Sequence, residues 1–98
     1  MSEPLKITHN EELQQFEYRE GDVLATLTYK FYKKDIAFMH TDVPESLAGK
    51  GVASALASAA FEYARKIKKL VMVYCPFVAS YVKRHPELKD QIDKQYLG

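Results

Sequence analysis

Phe16 and Tyr18 alternate with polar neighbours, and Glu20, Gly21 and Asp22 predict a turn after them. Beyond it Val23, Ala25, Leu27, Tyr29 and Phe31 fall on one face, with Thr26, Thr28 and Lys30 on the other, the period of two of a half-buried strand. Lys33, Lys34 and Asp35 turn the chain again. From Ile36 to Val43, Ile36 and Phe38 share a face with His40 and Asp42, while Ala37, Met39, Thr41 and Val43 share the other, so this strand is expected to be covered in part on both sides. The period then changes. Between Gly51 and Lys69, Val52, Leu56, Ala59, Ala60, Tyr63 and Ile67 recur at helical spacing opposite Ser54, Ser58, Glu62, Arg65 and Lys69. Leu70 to Cys75 predicts a short buried strand, and Pro76 closes it and opens a helix through Arg84. Leu88, Ile92 and Tyr96 predict one more short amphipathic helix. The fold expected is α+β with a mixed sheet, an N-terminal antiparallel meander running into a strand-helix-strand unit.

Composition narrows the function. The chain has 98 residues, the size of one domain, taken as 1–98. Lys and Arg number 14 against 13 Asp and Glu, so no overall basic field exists to hold nucleic acid or an anionic membrane. The basic cluster Arg65, Lys66, Lys68 and Lys69 closes the long helix, where it compensates the helix C-terminal partial charge. The longest apolar run, Leu70 to Ala79, holds ten residues and a proline. Spanning a bilayer takes about 20. The opening MSEPLKITHN lacks the pattern of a secretory signal, and a single cysteine fits a reducing cytosol, so a cytoplasmic location is expected. Three scattered histidines and that cysteine show no metal-ligand spacing, so no metal is expected.

The segment from Val43 to Leu56, VPESLAGKGVASAL, joins a strand to the long helix through two glycines. A helix start leaves four amide donors unpaired, usually capped by Ser, Thr, Asp or Asn. Here it is Gly49, Lys50 and Gly51. Two readings stand: a structural turn, since glycine is itself a tolerated cap, or an anion site made from amides and the helix dipole, with Lys50 adding a mobile positive charge. The spacing fits neither a Walker A loop nor a dinucleotide fingerprint.

The order of the neighbouring motifs adds a resemblance. His40-Thr41, Val43-Pro44, Gly49-Lys50-Gly51-Val52-Ala53, Cys75-Pro76-Phe77-Val78-Ala79 and Arg84-His85-Pro86 together resemble the GNAT superfamily of acetyl-CoA-dependent N-acyltransferases, in particular its small stand-alone YjdJ-type group. The resemblance covers about half the chain, from Asp35 to Glu87. Two departures matter. Ala48 stands where the superfamily usually has Gln or Arg, and the helices and last strands that shape the acceptor site in larger relatives are absent, which implies an open acceptor site.

The resemblance implies a minimal GNAT fold and acetyl transfer from acetyl-CoA to an unidentified amine. It implies that the amides of Gly49, Lys50, Gly51, Val52, Ala53 and Ser54 hold the pyrophosphate, and that the main chain near Thr41 and Val43 runs along the pantetheine arm. Tyr81 occupies the position of a tyrosine that protonates the departing thiolate; by residue type it is a half-buried helix aromatic. Cys75 ends the second strand near the expected acetyl group, as a nucleophile or an inert core thiol. Direct transfer is the reading adopted. His40 is of the residue type that serves as a general base, on the strand leading into the glycine turn, while its neighbours Ile36 and Phe38 favour a partly buried structural histidine. His9 lies in a polar stretch and carries no chemical argument, and His85 reads as charge compensation at a helix end. The alternative function is a CoA or acyl-CoA binding module with little transferase activity. The acceptor and the oligomeric state stay open.

Overall fold

Residues 5–93 are described in a computed structural model. One sheet contains β1 (Thr8–Asn10), β2 (Gln15–Glu20), β3 (Val23–Tyr32), β4 (Asp35–Asp42) and β5 (Leu70–Val73), and its spatial order follows the chain. Neighbours are antiparallel up to β4, and β5 lies parallel to β4. A parallel neighbour requires a crossover, which α1 (Val52–Lys66) provides. Helix α2 (Pro76–Arg84) and a 3-10 helix (Pro86–Gln91) follow. The α+β class with a mixed sheet is the one observed.

The meander has one strand more than its hydrophobic pattern predicts. Residues Thr8–Asn10 include no aliphatic side chain, so β1 has no apolar period to betray it. His9 holds it in place: its ring stacks on Phe16 at 4.3 Å, meets Tyr63 edge-on at 4.3 Å, and brings Nε2 within 2.6 Å of the Tyr29 hydroxyl. Burial lowers its pKa, opposed by the nearby charge of Glu11. In β3, Ala25, Leu27 and Tyr29 are buried as the alternation requires. Phe31, at the strand's end, is 43% exposed and lies under the Lys69 ammonium.

A bulge in β4 changes which side chains share a face. Tyr29 pairs with Phe38 but Thr28 pairs with His40, so Met39 is an extra residue in β4. Before the bulge, Ile36 and Phe38 face the helices, with Phe38 edge-on to Phe61 at 5.1 Å. After it, Thr41 pairs with buried Leu27 and takes that face, whereas His40 turns to the other side and is exposed. His40 is therefore not the partly buried neighbour of Phe38 that strict alternation predicts. Residues Asp35 to Phe38 are buried on both faces, as expected for a strand flanked by β3 and β5.

Helix α1 buries Val52, Leu56, Ala57, Ala60, Phe61 and Ala64 against the sheet. The alanines let its backbone approach closely, and Ala59, Tyr63 and Ile67 border the buried stripe. Strand β5 stops at Val73, two residues short of the expected end, because β4 bulges where its partner would continue. Tyr74 N–H donates to the Phe38 carbonyl at 3.1 Å and closes the ladder, while β4 runs on to Asp42. The tail is 3-10 rather than α: Pro86 fixes φ and lacks an N–H, and after one short segment the chain extends. Ile92 then bridges Val71, and Asp93 N–H donates to the Val71 carbonyl at 3.0 Å. Tyr96 lies outside the described residues. Beside this bridge Asp35 is buried with Oδ1 unpaired, and burial, then a hydrogen bond with the Asp93 carboxyl, raises its pKa against the pull of Lys34 and Lys69.

Candidate functional site

The glycine turn lies at the end of the sheet where β4 and β5 finish. A 3-10 helix, Glu45–Leu47, follows Pro44 and delivers the chain to Gly49 and Gly51, both left-handed at φ 80° and 78°. A Cβ at either glycine meets nothing within 4 Å, so backbone conformation rather than crowding selects glycine here. Gly51 is the N-cap of α1 and offers no side-chain cap. The first intrahelical bond runs from Ala55 N–H to the Gly51 carbonyl at 3.0 Å, so the donors before Ala55 have no partner within the helix.

These donors border a cavity of about 420 Å³. Val43, Leu47, Ala48, Gly49, Gly51, Val52, Ala53 and Ser54 line one side, and Phe77 and Arg84 of α2 line the other. Arg84 is a site residue that motif reading missed. Its guanidinium lies 6.0 Å from the Phe77 ring centroid, and the two residues are two helical turns apart on one face of α2. That spacing was the available signal. Lys50, by contrast, does not line the cavity: its ammonium turns outward to Glu20 Oε2 at 2.9 Å, and that carboxylate raises its pKa. The basic side chain among the cavity's lining residues is Arg84.

Cys75 is the N-cap of α2 and is 3% exposed, with Sγ 3.2 Å from the Thr41 hydroxyl. The bulge makes this contact possible, because it turns Thr41 to the helix face. Both residues lie two positions along the chain from cavity-lining Val43 and Phe77. Tyr81 is buried but lines a different cavity, of about 230 Å³, with Ser58, Phe61, Glu62, Arg65, Glu87 and Leu88. Its ring stacks on Phe61 at 6.2 Å and lies 4.3 Å from that of His85, which pairs with Glu87 at 3.4 Å. The site thus gathers the glycine turn, Val43, Thr41 and Cys75. Tyr81 lies one turn beyond Phe77 on the second cavity, and His40 lies across the sheet.

Residues 15–91 match the family model for GCN5-related N-acetyl-transferases. The chain belongs to the GCN5-related N-acetyltransferase family. Protein NATD1 of Xenopus tropicalis is a relative, 30% identical over 88 residues that make up 87% of this chain and 81% of that protein. NATD1 of Mus musculus is 30% identical over 86 residues, 85% of this chain and 78% of that protein. A GCN5-like protein from Staphylococcus aureus, solved in solution by NMR, shares the fold with a TM-score of 0.72 at 26% identity, covering 94% of this chain and 91% of that one. The GNAT resemblance carried by the ordered motifs is borne out at the level of superfamily and fold. The matched span of the GCN5-related family holds both glycines, Arg84 and Cys75 but begins after β1.

Among the described residues no helix is long and apolar enough to cross a membrane, and no three His, Cys, Asp or Glu side chains converge as a metal site.

Proposed function

We propose that this chain, acting as one domain, transfers an acetyl group from acetyl-CoA to an amine. One observation carries the reading: unpaired helix donors, two left-handed glycines and Arg84 surround one cavity beside the Thr41–Cys75 contact, where the parallel ladder ends. That donor set fits a pyrophosphate, and the apolar surface of Val43, Leu47 and Phe77 fits the pantetheine arm. Acetyl-CoA supplies the activated thioester. Main-chain donors from Gly51 to Ser54 and the Arg84 guanidinium bind the phosphates. Residues of β4 past Phe38, free of β5, run beside the arm, and Thr41 and Cys75 border the reacting carbon in a direct transfer. The amine nitrogen adds to the thioester carbon and the carbon–sulfur bond breaks; Tyr81, one turn beyond Phe77, gives its hydroxyl proton to the departing thiolate and regains one from the ammonium that the attack creates. His40, on the exposed face, has no part in this reading. A reducing cytoplasm, where the single thiol stays free, suits this chemistry.

Calorimetric titration tests the reading. Saturable acetyl-CoA binding is expected, and it should be lost in Gly51→Glu, which strains a left-handed position and places a carboxylate among the anion's donors. Absence of binding, or binding that Gly51→Glu leaves intact, overturns it. A second reading, binding without efficient transfer, is favoured by the position of Tyr81 on the other cavity. Acetyl transfer at useful rates to a panel of amines and peptides excludes that reading.

A further inference from the structure

Gly49 and Gly51 line the cavity while Lys50 between them reaches outward to Glu20, at 2.9 Å, with the two side chains 51% and 46% exposed. Glu20 is the last residue of β2, directly before the Gly21 turn. From this placement we infer that Glu20 competes with a phosphorylated ligand for the Lys50 ammonium and thereby sets the affinity of the glycine-turn cavity. The inference rests on the reading of that cavity as a coenzyme A site.

The described lining residues include no acid, and they present unpaired amides and a guanidinium, so an anion is the ligand they suit. Lys50 belongs to the same turn. Its flexible four-carbon stem lets the ammonium exchange one anion for another with no backbone movement. An exposed ion pair is weak enough to be given up to a phosphate held by several donors. In the free protein Glu20 neutralises the cation nearest the phosphate donors in sequence. An entering phosphate must replace that partner, and the carboxylate left behind repels it.

Coenzyme A, and separately inorganic pyrophosphate, is titrated calorimetrically into the full chain and into Glu20→Gln, Lys50→Met and the double variant. Both side chains are half exposed, and melting curves verify that each variant folds. Glu20→Gln is expected to bind coenzyme A about two- to fivefold tighter at low salt, the range of an exposed ion pair. That gain should vanish in the Lys50→Met background and shrink at about 0.5 M salt. An equal gain in both backgrounds, no gain, or weaker binding by Glu20→Gln overturns the inference while wild-type binding keeps the coenzyme reading intact. No coenzyme A binding by any variant or by wild type overturns both.

Discussion

Arg84 and Lys50 divide the positive charge near the glycine turn unequally. Arg84 lines the cavity over Phe77, and Lys50 is held outside it by Glu20. Losing a hydrogen bond to a charged group costs about 1.5–3 kcal/mol, so Arg84→Ala should weaken coenzyme A binding by about tenfold or more with little change in melting temperature. Arg84→Lys should recover part of that loss, because an ammonium restores charge without the planar fork. Calorimetry on the three proteins checks both. Cys75 faces Thr41 inside the core, and direct transfer requires no bond to its sulfur. Turnover by Cys75→Ala should therefore stay within about threefold of wild type, a difference below 1 kcal/mol in barrier. Intact mass after incubation with acetyl-CoA should show no acetyl adduct lost in that variant. How far such residues can be read from sequence depends on separation along the chain. Arg84 was within reach, since Phe77 and Arg84 fall on one face of a predicted helix. Glu20 was not, because 30 residues separate it from Lys50 and nothing in the pattern says which hairpin end meets the glycine turn.

Strand β1 shows what an element owes to one side chain. Its pairing with β2 spans three residues, and His9 fastens it to Phe16, Tyr29 and Tyr63. Burial holds the His9 pKa below its ordinary 6.5, so the folded protein favours the neutral ring. The stability from this site is then fully present above pH 6.5 and is lost as pH falls through the lowered folded-state value. Amide protection in β1 and β2, taken relative to the intrinsic exchange rate at each pH, should fall between pH 7 and about pH 5 in wild type and change much less in His9→Phe. An equal fall in both would rule out His9 as the cause. Burial, aided by Tyr63 and Glu11, pushes Tyr29 up to about 12, so its share of stability is fully present below pH 10 and is lost as pH rises from there through about 12. The strands with strong alternation, β2 and β3, were legible in the sequence, as were both helices. The face of β4 was legible only as far as Phe38. A bulge adds one residue and inverts the alternation beyond it, and no hydrophobic pattern records the insertion because Met39 suits a strand on either face. That inversion decides the site, since it turns Thr41 toward Cys75 and His40 away.

At the scale of the whole molecule, the cavity and the core are built from the same elements. Val52 and Leu47 line the cavity and are also core residues, at 1% and 2% exposure, and Phe77 packs against that core. A ligand held there touches the start of α1, the segment leaving β4 and the helix that follows β5, so it joins elements that unfolding would separate. The unfolded chain lacks the paired left-handed glycines and the aligned donors, and binding therefore adds to the stability of the native state alone. At a coenzyme A concentration one hundred times its dissociation constant, the gain is about 2.7 kcal/mol. In a chain of this size 1 kcal/mol moves the melting temperature by about 4–8 °C, so the midpoint should rise by about 10–20 °C. It should keep rising by an equal step with each further tenfold increase in ligand, the signature of mass action. The same series in Gly51→Glu should show no shift at any concentration. A plateau at low ligand, or a shift of similar size with adenosine alone, would mean that the phosphate donors of the glycine turn are not what the ligand engages.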